Sequence, residues 1–176
     1  YVELPIKAQQ VAGYNWSPIS PVPETQRLPN LTQERSLAYL LNDKNLLEIE
    51  RYSYHDLQDN LLGFTVRLRD AKDCDIVLPL TYCQNQIGAR EWRWQGFGQD
   101  RPLYGLQYLG RQIERHVLVV EGEKTADAAR NIFTDMNVVT WSGGSPAVLK
   151  TNWSPLLAKQ ISLWPDNYAA GINAMQ

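Results

Sequence analysis

The sequence predicts an α/β unit with a mostly parallel, Rossmann-like sheet at its C-terminal end, preceded by a small antiparallel β-rich unit of α+β type. Three observations carry this. Residues 116–133 read as a short apolar strand, a charged turn and an amphipathic helix. Two further strand-like runs, 138–141 and 160–164, follow in order and each ends in a polar turn. From residue 48 to 94, by contrast, apolar residues alternate with polar ones, the period of half-buried strands. The expected division is 1–47 (an arm and a short helix), 48–110 (the β-rich unit) and 111–176 (the α/β unit).

Residues 1–30 contain Pro5, Pro18, Pro21, Pro23 and Pro29, which block helix and central strand and predict an extended arm. A helix is expected over 31–47, with Thr32 as N-cap, Leu37, Leu40 and Leu41 on one face and Asn42-Asp43 near its end. Strands are expected at 49–55, 61–68, 75–82 and 91–96, joined by turns at 56–60 and 85–88 among others. In the last of these strands, alternation places Trp92 and Trp94 on one face and Glu91, Arg93 and Gln95 on the other. The tryptophans either stack bases of a single strand while arginines meet phosphates, or form the core of the meander. Large aromatics sharing one strand face usually pack inward, which favours the core. Residues 102–106 read as a packed connector.

The run from His116 to Val120 is β-branched and apolar, as in a strand covered on both faces. A helix over 125–133 would bury Ala126, Ala129 and Phe133 on one face. Gly122 permits a tight turn between them and leaves Glu121 at the carboxyl end of the strand, where open α/β sheets place ligands. Glu121 and Glu123 would also favour a helix N-terminus simply through the dipole, with Lys124 solvated. The second strand ends in Ser142-Gly143-Gly144-Ser145 and the third in Pro165-Asp166-Asn167. Right-handed parallel crossovers bring these ends to one edge, where Glu121 and Asp166 can share a divalent cation such as Mg²⁺. Gly144 to Thr151 approaches a phosphate-binding loop, but Leu149 takes the place of its second glycine and Pro146 lies inside it.

Four blocks, EGEKTADAA from Glu121, TWSGGSPA from Thr140, WSPLLAKQISLWPDN from Trp153 and AAG from Ala169, resemble the Toprim domain. The branch they resemble is that of primases and primase-helicases of plasmids, phages and other mobile elements. The resemblance covers about the last third of the chain. It implies that Glu121 serves acid–base or metal chemistry of phosphoryl transfer, that Asp166 is the first aspartate of an Asp-x-Asp pair binding Mg²⁺ (or Mn²⁺), and that Lys124 neutralises phosphate charge. The second aspartate is absent: position 168 is Tyr, and a neutral phenol is a poor Mg²⁺ ligand. Residues 169–176 supply barely two helical turns where the resemblance implies a full helix and a further strand, so the sequence reads as a fragment.

Net charge is −2, which excludes a global basic footprint for nucleic acid. Local basicity survives between residues 88 and 115, where Arg90, Arg93, Arg101, Arg111 and Arg115 outnumber Glu91, Asp100 and Glu114. Arg90, Arg93, Arg101, Trp92, Gly143 and Gly144 are therefore the candidate phosphate or nucleic-acid contacts. Cys74 and Cys83 form no Cys-x-x-Cys pair and His55 and His116 stand alone, so no zinc site or disulfide framework is expected. No apolar run approaches the roughly 20 residues that span a bilayer, and no secretory signal is visible, so no membrane role and a cytoplasmic location are expected.

Three functions fit this reading. The first is part of a DNA primase or primase-helicase, making RNA primers by Mg²⁺-dependent nucleotidyl transfer during DNA replication. Its partners would be single-stranded DNA template, nucleoside triphosphates and a helicase domain or protein. The second is a catalytically impaired module that binds nucleic acid or nucleotide. The third is a nuclease on the same fold.

Overall fold

The structure, a computed structural model, describes residues 14–175, so Pro5 and the start of the expected arm lie outside the described residues. The described chain divides into two units, one made of residues 14–53 and Leu61–Gly98, the other of Tyr54–Asn60 and residues 99–175.

The first unit holds β1 (Trp16–Pro18), α1 (Arg35–Lys44), β2 (Leu47–His55), β3 (Leu61–Arg69), β4 (Asp75–Asn85) and β5 (Arg90–Arg93). The division between units falls inside β2. The strand order is β1-β4-β3-β2, with β5 also on β4. β3 and β5 pair with β4 antiparallel, in registers running from Phe64 opposite Leu80 and from Thr81 opposite Arg93. The turns have a common physical basis. Asp56 Oδ1 accepts the N–H groups of Gln58 and Asn60, Asp70 Oδ1 those of Lys72 and Cys74, and Asn85 Oδ1 those of Ile87 and Ala89. Each Asx side chain stands in for a backbone acceptor, the reason these residues favour turns.

α1 is shorter than expected and its cap differs. Asn30 Oδ1 accepts the N–H groups of Thr32 and Gln33 and the Thr32 hydroxyl, so Thr32 belongs to a turn before the helix, whose N-cap is Glu34. Leu37 and Leu41 are buried as the spacing predicts. β1 was expected only as extended chain. Three residues carry no readable period, and Trp16–Pro18 becomes a strand by pairing with Asn85–Cys83 at the end of β4.

Trp92 and Trp94 settle in the core of this unit, 1% and 4% exposed. Their indole N–H groups donate to the carbonyls of Arg27 and Leu37, each at 3.0 Å. Trp92 packs against Phe64 and Tyr82 at 5.6 and 5.3 Å between ring centroids. As a base-stacking contact Trp92 is therefore excluded: its ring faces are covered by the protein.

The second unit holds β6 (Leu103–Tyr104), α2 (Leu106–Arg111), β7 (Val117–Val120), α3 (Glu123–Ile132), β8 (Asn137–Trp141), two 3₁₀ turns (Ser145–Lys150 and Ser154–Leu156), β9 (Ile161–Trp164) and α4 (Ala169–Ala174). Its sheet order is β6-β8-β7-β9, with β7 parallel to both β8 and β9 and β6 antiparallel to β8. All four β7 residues are buried, as their unbroken apolar run predicts. α3 buries Ala126 and Ala129, while Phe133 meets Trp164 edge-on at 5.6 Å. The described residues thus form a mixed α/β structure with one antiparallel sheet and one mixed sheet containing parallel strands.

The segment read as a connector supplies β6 and α2 to the second sheet. Gly105 makes that possible: its φ is 94°, and a Cβ there would lie 2.7 Å from the Val138 carbonyl oxygen, a conformation and an approach open only to glycine. Residues 144–151 form no phosphate-binding loop. They make a 3₁₀ turn, and the Thr151 hydroxyl donates to the Ala147 carbonyl at 3.2 Å.

Trp92→Ala is expected to destabilise the first unit by about 3–5 kcal/mol through the cavity it leaves, read as a shift in the urea midpoint. A change below about 1 kcal/mol would show that the ring is not part of a close-packed core.

Candidate functional site

Glu121 follows β7 directly and is 7% exposed. Gly122, at φ 87°, turns the chain into α3, and its N–H donates to the Thr140 hydroxyl at 2.9 Å, fastening the turn to β8. The carboxylate is thereby held at the carboxyl edge of the central strand.

The chain leaving β8 reaches the same place. Gly143 and Gly144 have φ values of 95° and 65°, and the Trp141 indole N–H donates to the Gly144 carbonyl at 2.7 Å. This closed turn delivers the Ser145 hydroxyl to Glu121 Oε1, to which it donates at 2.6 Å. Arg101 stands over the turn: a Cβ added to Gly143 would lie 2.7 Å from Arg101 Nη1. Its backbone is fixed by bonds to the Lys150 carbonyl and the Asn152 N–H.

β9 contributes the third approach. After Asp166 the chain turns, with the Tyr168 N–H on the Asp166 carbonyl at 2.8 Å, and the Tyr168 hydroxyl donates to Glu121 Oε1 at 2.8 Å. The phenol is 46% exposed and lies 3.5 Å from the Ser145 hydroxyl. Two hydroxyls therefore share one carboxylate oxygen. The other, Oε2, is buried and has no hydrogen-bond partner. Gly171 backs it, since a Cβ there would meet Glu121 Oε2 and the Asp166 carbonyl oxygen, each at 2.8 Å.

The electrostatics follow from this crowding. Desolvation first and the Glu121 charge second push the Asp166 carboxyl above its ordinary range. The Tyr168 phenol is drawn down by the Ser145 hydrogen bond, but its bond to Glu121, desolvation and the charges of Glu121 and Asp166 outweigh that and raise it, so it is neutral at pH 7. No group of three His, Cys, Asp or Glu side chains suited to a metal ion occurs among the described residues. The available donors are a pair of carboxylates, one with a buried unpartnered oxygen. That set fits a hard divalent cation completed by water and phosphate oxygens, since such a cation commonly takes only one or two carboxylates from a protein.

Of the residues singled out in the sequence, Glu121, Asp166, Gly143, Gly144 and Arg101 belong to the loops that end at this edge. Lys124 is exposed on α3 and is not among the groups bonded to Glu121. Arg90 and Arg93 belong to the first unit and are engaged there. Arg90 donates to Gln84 Oε1 at 2.7 Å; Arg93 pairs with Glu91 and covers the Trp16 ring at 4.5 Å from its centroid. Two features escaped the sequence reading. Ser145 orients Glu121, and Glu123 is buried, accepting the Tyr54 hydroxyl at 2.6 Å. The only prior signal for Ser145 was its place beside a Gly-Gly turn; nothing local marked Tyr54, 69 residues away.

No family model matches the chain, and no curated protein matches it. Among solved structures it is similar to the primase fragment of the bacteriophage T7 primase-helicase protein, at 16% identity and a TM-score of 0.48, over 90% of this chain. This chain spans 66% of the length of that fragment. No helix among the described residues is long and apolar enough to cross a membrane.

Two outcomes are expected at this site. With Asp166 raised, its proton is held more tightly in the folded state than in the unfolded chain. Its stabilising contribution is present at acidic pH, below the ordinary carboxylate range, and is lost as pH rises through the raised value. Glu121→Gln removes the second cause, so the Asp166 midpoint in a carboxyl NMR titration should move down; an unchanged midpoint would separate the two groups electrostatically. Gly171→Ala should shift the resonances of Glu121 and Asp166 together, since its methyl group cannot fit without moving both.

Proposed function

We propose that the second unit is a Toprim-type nucleotidyl-transfer module of a primase or primase-helicase, acting on nucleoside triphosphates along a single-stranded DNA template to make RNA primers. The observation that carries this reading is the arrival of Glu121 and Asp166 at one sheet edge with Glu121 Oε2 buried and unpartnered. The motif resemblance at Glu121, Gly143-Gly144 and Asp166 supports it.

In this scheme Glu121 and Asp166 would hold Mg²⁺ or Mn²⁺. When bound, the cation supplies positive charge for the triphosphate and the departing pyrophosphate. The protein's own groups do the rest. Gly144 carries no Cβ and has nothing nearer than 4.0 Å on that side, so phosphate oxygens can approach its backbone, while the Arg101 guanidinium fills the space beside Gly143. Ser145 fixes the rotation of the Glu121 carboxylate. Glu121 Oε1 takes the proton from the attacking hydroxyl as the new phosphodiester bond forms, and Lys124 adds charge at the rim. Catalysis of this kind rests on positioning and fixed charge.

A second reading is favoured by one contact. The Tyr168 hydroxyl bonds to Glu121 Oε1, where the resemblance implies a further carboxylate, which fits a module retaining nucleotide or nucleic-acid binding with reduced turnover.

Mn²⁺ titration by calorimetry separates the readings. Saturable binding is expected, weakened at least tenfold by Glu121→Gln and by Asp166→Asn, and tightened by Tyr168→Asp. Binding by the native chain together with primer synthesis supports the first reading. Binding without synthesis, and synthesis gained with Tyr168→Asp, supports the second. Absence of binding in the native chain removes the metal site from both.

A further inference from the structure

Tyr168 is the one member of the site that the nucleotidyl-transfer scheme leaves without a task, and its surroundings are those of an activated nucleophile. Its hydroxyl donates to Glu121 Oε1 at 2.8 Å, within the range for proton transfer to a general base. The base is itself oriented by a third group, the Ser145 hydroxyl at 2.6 Å, which completes a nucleophile–base–orienter arrangement. The phenol is 46% exposed, while Glu121 is 7% exposed and its second oxygen lacks a partner. An accessible nucleophile thus touches a fixed, buried base.

We propose that Tyr168 is a nucleotidyl acceptor: the site transfers a nucleoside monophosphate from a nucleoside triphosphate to the Tyr168 hydroxyl, giving a tyrosyl phosphodiester. Oη attacks the α-phosphorus, the bond from that phosphorus to the bridging oxygen of the β-phosphate breaks, pyrophosphate leaves, and the phenolic proton passes to Glu121 Oε1. No electrons are exchanged. A triphosphate is the fitting donor because pyrophosphate is a far better leaving group than the alkoxide released by attack on a nucleic-acid diester. The open side of Gly144 and the Arg101 guanidinium packed against Gly143 lie next to Ser145 and would meet the phosphates of the donor. This inference rests on the nucleotide-using reading above and gives it a starting point bound to the protein.

The test incubates the purified protein with Mn²⁺, single-stranded DNA and each of the four ribonucleoside triphosphates labelled at the α-phosphate, with γ-labelled triphosphate in parallel. Label resisting denaturation is counted and located by peptide mass spectrometry, and free primers are scored from the same reactions. The expected result is α-label on the peptide holding Tyr168 and no γ-label. Tyr168→Phe should abolish the label, and Glu121→Gln should lower it at least about 100-fold at saturating Mn²⁺, the scale of general-base assistance. An unlabelled native protein, label on another residue, or retained γ-label would overturn the proposal. Free primers from an unlabelled protein would leave the nucleotidyl-transfer reading standing alone. Were Tyr168→Phe to fail to fold, the position of the label in the native chain decides.

Discussion

A carboxylate buried at the end of an apolar strand is costly unless its oxygens find donors, and the architecture of the second unit answers that demand at Glu121. β7 lies between β8 and β9, so the loops leaving both neighbours can reach its end. The β8 loop supplies Ser145 and the β9 loop supplies Tyr168, and both hydroxyls go to the same oxygen. What remains is one oxygen that accepts two hydroxyls and one buried oxygen without a hydrogen-bond partner on the same side chain.

The loops that meet at this contact are fastened to their neighbours. Gly122 is tied to Thr140, the Gly143-Gly144 turn is closed by the Trp141 indole, and Gly171 leaves room for Glu121 Oε2. The two bonds and the close fit at Gly171 restrict the placement of the carboxylate. Farther along α3, Asp127 accepts from Tyr104 and pairs with Arg130, whose guanidinium also lies against the Tyr104 and Tyr108 rings. That network ties α3 to β6 and α2, the elements that complete the sheet.

The meeting of residues at one edge was legible where a single residue stands at a strand end. Glu121, Asp166 and the glycine pair could be named because α/β topology sends consecutive parallel strand ends to one edge. Trp92 shows the opposite case. Alternation put it on one strand face, but only the packing of Phe64, Tyr82 and the Arg27 carbonyl decided that this face is the interior. Arg90 and Arg93 likewise engage neighbours, Gln84 and the Trp16 ring, whose proximity depends on pairing between β4, β5 and β1.

The sequence by itself determined the strand–turn–helix at residues 117–132, the strands of the β3–β4–β5 pattern and the turns at 56–60 and 85–88, because periodicity and turn chemistry act over a few residues. Tertiary structure alone decided that β1 and β6 are strands, that Thr32 does not cap α1, and that Ser145 and Tyr168 meet on Glu121. These outcomes depend on partners distant in sequence, and a two-residue strand or a single hydroxyl carries no local pattern until its partner is in place.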